Sequence, residues 1–216
     1  MVSIIKSMSL EGLDGYLIEV QTEVSTGIPY FEIVGLPDAS IKEAKERIRA
    51  AIKNTKFEFL SRKVLINLAP AGIRKEGTTL DLPMALGVLI ALGQIENSDI
   101  LKKTVFLGEL SLNGNVNRID GILPMCIEAK KMGIEKIVVP AFNVNEAMII
   151  DGIDIIPVEN LKDAINFIKC GKVKEDLYQK YKKTIEDKKM LDIDFRDVKG
   201  QNIAKRALEI AASRRT

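Results

Sequence analysis

Residues 66–95 read INLAPAGIRKEGTTLDLPMALGVLIALGQI, and this stretch decides the fold class. It begins inside an apolar run, residues 64–68, that is typical of a β-strand. Residues 81–92 are apolar on nearly every side, which predicts a buried helix. Asp81 is a candidate cap for that helix, and Gly93 is expected to end it. A strand followed by a fully buried helix indicates a mixed α/β domain.

Strands and helices continue on both sides of this stretch. Apolar residues recur at helical spacing over residues 41–52, and Ser40 with Glu43 forms a capping-box pattern before them. Asn113-Gly114 is a strong turn dipeptide and predicts a hairpin over residues 104–118. The other predicted elements are strands over 16–20, 31–34, 136–139 and 154–158, and helices over 123–132, from Asn143 and from Asn160.

The composition excludes several classes of function. Of 216 residues, 46% are hydrophobic and 29% are charged, which indicates a globular chain and not a disordered one. A net charge of +2 argues against polyanion binding through overall charge and leaves only local patches. Without any His, the chain has no Ser-His-Asp or Cys-His catalytic group, and its two Cys exclude Cys₄ and Cys₂His₂ zinc sites. We expect Cys126 and Cys170 to act as small hydrophobic residues.

The same pattern predicts where the protein resides. No apolar run reaches the roughly 18 residues that a membrane helix needs, and the first ten residues lack the features of a signal peptide. No disulfide framework is visible. We therefore expect a cytoplasmic protein without a membrane partner.

A domain boundary is predicted near Gly171. Residues 1–170 contain the strands and helices above, and residues 171–189 carry seven Lys and four acids with few large apolar residues. We interpret residues 171–190 as a charged linker. Residues 191–216 begin with a strand-like run and continue into one amphipathic helix, which cannot bury its own apolar face. They indicate the truncated start of a second domain.

Four segments carry a resemblance to a known family: residues 31–52, 66–95, 106–124 and 194–212. Together they resemble the magnesium-chelatase-like AAA+ ATPases, the ComM/YifB family. That resemblance implies that residues 1–170 form an N-terminal domain related to the Lon protease domain, with the α/β fold of ribosomal protein S5 domain 2. Residues 191–216 would be the start of the AAA+ module.

The Lon resemblance makes proteolysis the first activity to weigh. Thr79 falls at the position of the Lon-type Ser nucleophile, and Leu123 falls at the position of the Lys that activates it. A hydroxyl without a nearby base is a poor nucleophile, and Leu cannot abstract a proton. We therefore expect no catalytic residues in this chain. An ATP-dependent peptidase that uses Thr79 is the alternative.

ATP hydrolysis is the second activity to weigh. No segment matches the phosphate loop G-x-x-x-x-G-K-[ST], so we expect no cofactor, no metal and no ATPase activity in residues 1–216. The resemblance implies that the full-length parent binds ATP and Mg and forms a hexamer. It also implies a DNA-remodelling motor that drives branch migration in transformation or recombination. A metal-chelatase ATPase subunit is a further alternative.

One local patch of positive charge is visible. Residues 42–75 contain ten Lys and Arg but only three acids, which favours contact with phosphates. A solvated helix face, with Glu43 and Arg47 as an i,i+4 pair, explains the same pattern. Only Phe57 and Phe59 are aromatic there, so base stacking is poorly supported. The candidate nucleic-acid patch consists of Arg47, Arg49, Lys53, Arg62, Lys63, Arg74 and Lys75.

Overall fold

The computed structural model describes residues 2–59, 61–172 and 198–213. The chain divides into two compact units, residues 1–181 and 182–216. In the second unit residues 202–213 are helical, as the sequence predicts. The predicted linker, beyond Lys172, and the strand-like residues 191–197 lie outside the described residues.

A seven-stranded sheet forms the centre of the first unit, with the strand order β3-β4-β2-β1-β5-β8-β9. Strands β1 and β2, and β2 and β4, pair antiparallel, whereas the other neighbours pair parallel. Strands β6 and β7 form a separate hairpin. The strands are β1 Val2–Glu11, β2 Asp14–Ser25, β3 Tyr30–Val34, β4 Lys63–Ala69, β5 Thr104–Phe106, β6 Glu109–Leu110, β7 Val116–Asn117, β8 Lys136–Pro140 and β9 Asp154–Val158.

Helices cover both faces of this sheet. The α-helices are α1 Ala39–Asn54, α2 Asp81–Ala91, α3 Ile122–Lys131, α4 Val144–Ala147, α5 Leu161–Cys170 and, in the second unit, α6 Asn202–Ser213. Short 3-10 helices span Asp99–Lys103 and Ala141–Asn143. Strand β5 illustrates the layering, because Phe106 packs with the core of α1, α2 and α5 whereas Val105 packs with that of α3 and α4. The predicted mixed α/β class is confirmed.

Helix α2 lies inside the core, as its sequence predicts. Every residue from Asp81 to Ala91 is buried. Burying a large aliphatic side chain contributes roughly 1.5–3 kcal/mol, so this helix anchors the domain. Helix α1 instead buries one stripe, made of the predicted residues Ile41, Ala44, Ile48, Ala51 and Ile52.

Two predicted helix caps are wrong. Asp38, not Ser40, caps α1: its carboxylate accepts a hydrogen bond from the Ile41 N–H at 2.8 Å, and Ser40 donates to that same carboxylate. Helix α2 has no side-chain cap, because the Asp81 carboxylate binds elsewhere. The Asn160 cap of α5 is confirmed, with the Asp163 N–H donating to its side chain at 3.1 Å.

Two other segments differ from the sequence-based expectation. Strand β1 was not predicted, although it lies inside the sheet between β2 and β5. Its buried Ser3 and Ser7 interrupt the apolar pattern; each hydroxyl donates to a backbone carbonyl, of Gly87 at 2.8 Å and of Phe106 at 2.9 Å. The predicted hairpin over residues 104–118 is confirmed only for β6 and β7, because β5 joins the main sheet.

Candidate functional site

A cavity of about 480 Å³ opens where the segment before α2 meets the segment before α3. Thr78 and Thr79 line it from the first segment, and Arg118 and Asp120 line it from the second. These are the two segments that the Lon resemblance pairs. The structure therefore brings the Thr79 and Leu123 regions together around one cavity, which we call the threonine cavity, although Leu123 itself does not line it.

The Thr79 hydroxyl is not paired with a base within the described part of the chain. Among the residues that the structure describes, no side chain hydrogen-bonds to this hydroxyl, although the backbone oxygen of Thr79 accepts from Gly108 at 3.0 Å. The neighbouring Thr78 hydroxyl donates to Glu109, whose other carboxylate oxygen accepts from Asn117 at 3.0 Å. Burial would raise the pKa of Glu109, but these two hydrogen bonds and the positive charge of Arg47 together lower it. Glu109 is therefore a weak base that is occupied by Thr78.

Leu123 supplies no replacement. It is the second residue of α3 and is half-buried, and its backbone N–H donates to Glu146 at 3.4 Å. Its aliphatic side chain cannot accept a proton. Arg118, the cation that lines the threonine cavity, carries a guanidinium, which offers donors and no acceptor for a proton.

A buried ion pair lies at the start of α2. The Arg47 guanidinium binds Asp81 through two hydrogen bonds, Nε to Oδ2 at 2.7 Å and a terminal nitrogen to Oδ1 at 3.1 Å. The Asp81 side chain is 1% exposed, and the Leu110 N–H also donates to it, at 3.3 Å. Burial raises the pKa of Asp81 while the guanidinium opposes that shift, and the same hydrogen bond raises the pKa of Arg47. The pair joins α1, α2 and β6, and it replaces the predicted Glu43–Arg47 pair.

Asp38 organises the rim of the threonine cavity. One carboxylate oxygen caps α1, and the other accepts a hydrogen bond from the Gly77 N–H at 3.0 Å. Burial alone would raise the pKa of Asp38, but the N–H groups of Ile41 and Gly77 and the Ser40 hydroxyl together lower it. The loop before Thr79 is thus fixed to the first turn of α1.

Lys75 does not belong to an exposed patch, and its assignment to one is wrong. The residue is 0% exposed. Its ammonium donates to the carbonyl oxygens of Gly35 at 3.1 Å, of Ile73 at 2.6 Å and of Pro70. Burial lowers the pKa of Lys75. The side chain therefore joins two loops inside the fold and cannot reach a phosphate.

The other predicted patch residues fall into two groups. Arg47 is held by Asp81, and Arg74, on the loop near the threonine cavity, pairs with Glu76 at 3.3 Å. Arg49, Lys53, Arg62 and Lys63 belong to α1, to β4 or to the segment between them. Because Lys75 is buried and Arg47 is bound to Asp81, the seven residues do not form one surface.

Sequence reasoning missed two exposed cations. Lys42 and Lys45 lie on α1 and line a groove beside β3. Their spacing from Arg49, seven and four residues, places all three on one helix face, and this signal was available in the sequence. The pairing of Arg47 with Asp81 could not be read from the sequence, because the two residues are distant along the chain.

The two cysteines differ. Cys126 is buried, and burial raises the pKa of its thiol to about 12, so it packs as a small hydrophobic residue as expected. Cys170, the last residue of α5, is exposed, so it is not buried as a small hydrophobic residue. Among the described residues, no helix is long and apolar enough to cross a membrane. Those residues contain no group of three or more acidic, His or Cys side chains arranged to hold a metal ion.

Comparison with known proteins places these features in a family. The model of the family "Subunit ChlI of Mg-chelatase" matches residues 20–143. Competence protein ComM of Haemophilus influenzae is 34% identical over 98% of this chain and 42% of its own length. YifB of Escherichia coli is 35% identical over 98% of the chain and 41% of its own length.

A more distant relative bears on the fold of the first unit. Lon protease 2 of Bacillus subtilis is 29% identical over 77% of this chain and 33% of its own length. The similarity supports a Lon-like α/β fold for the first unit. The chain spans about two fifths of the length of the ComM and YifB relatives.

Proposed function

Because the chain belongs to the Mg-chelatase-like family of ChlI, ComM and YifB, we propose that residues 1–170 are a non-catalytic accessory domain of an AAA+ ATPase. The observation that carries the proposal is the unassisted Thr79 hydroxyl. The position of the activating Lys holds Leu123, and the ammonium of Lys75 is occupied by three carbonyl oxygens. The domain contributes to assembly and to binding of a partner, and it does no chemistry itself.

The parent of this domain acts on DNA in our proposal. Its relative in Haemophilus influenzae is named as a competence protein, which suggests a DNA-remodelling motor. The parent would form a hexamer, bind ATP with Mg, and drive branch migration in the cytoplasm. Residues 191–216 would lead into its ATPase module, with residues 171–190 as a linker.

The proposal is tested in the full-length parent. Thr79→Ala should leave ATP hydrolysis and the branch migration of a four-way DNA junction at the wild-type rate. Deletion of residues 1–170 should slow branch migration more than it slows ATP hydrolysis. Loss of branch migration in Thr79→Ala would contradict an accessory role without chemistry.

Two other activities are distinguished by direct assays. Casein cleavage by the parent that Thr79→Ala abolishes would support an ATP-dependent peptidase. Magnesium insertion into protoporphyrin by the parent would support a chelatase subunit, which the family model's name suggests. We expect neither reaction; for the peptidase, Leu123 stands at the position of the activating Lys and no described side chain hydrogen-bonds to the Thr79 hydroxyl.

For DNA contact by this domain, we propose fewer residues than the seven of the predicted patch. Arg47 and Lys75 are bound inside the fold, so charge reversal there would disturb folding and not a surface. Arg49, Lys53 and Arg62 are the residues to replace by Glu. DNA contact would be supported if these variants lower the DNA affinity of the parent and if the difference from the wild type shrinks as salt is added.

A further inference from the structure

Strand β3 is an edge of the main sheet. It pairs with β4 through Tyr30–Val34, and no described strand pairs with its other side. An edge strand presents a row of backbone N–H and C=O groups that another strand can pair with. Five residues of β3 offer enough length for a short added strand.

A groove of about 250 Å³ runs between this edge and helix α1. Ile33 is buried and Phe31 half-buried on the side that faces α1, and both line the groove. Lys42 and Lys45 line its other wall and are exposed. An apolar floor with cations at the rim suits an extended chain that carries apolar and acidic side chains on the same face, at every second residue.

The lysines of the groove are available. Neither Lys42 nor Lys45 forms an ion pair with a described residue. Lysines beside an edge strand normally keep other strands away. They act selectively, however, because they repel a basic strand and attract an acidic one.

Phe31, which lines the groove, belongs to an aromatic cluster. The rings of Phe31 and Phe59 are stacked with centroids 6.1 Å apart, and the Arg49 guanidinium lies over both, at 5.5 and 5.6 Å from the centroids. Arg49 also pairs with Glu46 at 3.2 Å. Because the guanidinium already covers these rings, they do not form an open platform for nucleic-acid bases.

We propose that the β3 edge binds an extended acidic peptide, which adds to the main sheet as an eighth strand. Backbone hydrogen bonds to β3 would supply affinity, and alternate side chains would supply specificity. On the face of the peptide that meets α1, apolar side chains enter over Phe31 and Ile33, and carboxylates two residues along meet Lys42 and Lys45. A nucleic acid is less favoured, since it has no strand backbone to pair with β3 and the Arg49 guanidinium already covers the aromatic rings.

Fluorescence anisotropy with the 216-residue chain tests this binding. The probe is a fluorescein-labelled peptide of about eight residues in which every second residue is Val or Glu in turn and the residues between them are Ser, so that Val and Glu share one face. Lys42→Glu combined with Lys45→Glu should weaken binding at least about tenfold. The matched control combines Lys162→Glu with Lys169→Glu, two exposed lysines on α5, and should bind as the wild type does.

Two further probes separate strand addition from simple charge attraction. Two peptides are N-methylated at alternate residues, one at the odd and one at the even positions, so that each loses one row of backbone donors. Only one of these rows faces β3, so one of the two peptides should bind at least about tenfold more weakly. Backbone amides of β3 should exchange with deuterium more slowly when the unmethylated peptide is bound. The same peptide with Lys in place of Glu should not bind.

Three outcomes would overturn the proposal. The first is that the peptide fails to bind the wild type, and the second is that it binds Lys42→Glu/Lys45→Glu equally well. The third is that both methylated peptides bind as well as the unmethylated peptide. A single-stranded oligo-dT of about 15 nucleotides serves as the competing ligand. If oligo-dT binds through Lys42 and Lys45 and the peptide does not, the edge is a nucleic-acid surface instead.

Discussion

Charged side chains surround both the threonine cavity and the β3 groove, but they are used differently. Near the cavity, Arg47 is bound to Asp81 and the Lys75 ammonium is bound to three carbonyl oxygens. At the groove, Lys42 and Lys45 make no ion pair with a described residue. Charges that the fold itself satisfies hold loops and helices together, whereas unsatisfied charges remain available to a partner. We therefore interpret the paired charges near the cavity as structural, in contrast to the edge, for which we propose a binding role.

The largest effect is expected at the buried ion pair. Asp81→Asn should lower the free energy of unfolding by about 3 kcal/mol, because it leaves the Arg47 guanidinium without its charged partner. Urea denaturation followed by circular dichroism measures this change. The double variant Arg47→Met/Asp81→Leu should lose less than the sum of its single variants. Additive losses would show that the two side chains are not coupled.

Lys75 gives the next largest effect. Lys75→Met keeps the side-chain volume but removes the donors to three carbonyl oxygens, so we expect a loss of about 2 kcal/mol in the free energy of unfolding. Lys45→Met, a neutralised lysine at the groove, is the matched control and should change it by less than about 0.5 kcal/mol. Equal losses in the two variants would remove the distinction between the two regions.

Asp38 allows a test by pH. Its pKa is lower in the folded chain than the ordinary 3.8, so its contribution to stability is present above that value and is lost as the pH falls through the lowered pKa. Asp38→Asn keeps a capping acceptor but does not titrate, so its stability should fall less steeply below about pH 4. Asp38→Ala should lose about 1 kcal/mol at neutral pH as well. The measurement is the free energy of unfolding at several pH values. If it falls equally steeply with decreasing pH in the wild type and in Asp38→Asn, this assignment is refuted.

The smallest effect is expected at the groove. Lys42→Glu/Lys45→Glu should change the free energy of unfolding by less than about 0.5 kcal/mol, since neither ammonium has a partner to lose. The same variant should abolish most peptide binding. A large loss of stability would mean that these lysines support the fold, and that the groove is not a free binding surface.

The sequence predicted the parts of the fold that rest on local patterns. The stripe of α1 and the continuous apolar run of α2 follow from residue spacing, and both helices lie where they were expected. Strand β1 was missed because buried serines disguise it; only the carbonyl oxygens of Gly87 and Phe106 satisfy them, and those come from distant segments.

The candidate site was predictable only in outline. Thr79 and Leu123 could be singled out because their segments resemble Lon segments. The fates of Arg47 and Lys75 could not, because a count of charges does not reveal which of them find partners across the fold. Lys75 looked like part of a basic patch, yet its neighbours in space are backbone oxygens of two loops.

Peptide hydrolysis by the purified 216-residue chain tests the central claim, that the Thr79 hydroxyl has no base. The measurement compares the wild type with Thr79→Ala on an unstructured fluorogenic peptide, at neutral pH and high enzyme concentration. The account predicts that both proteins match the buffer blank. Turnover by the wild type that Thr79→Ala eliminates would contradict it.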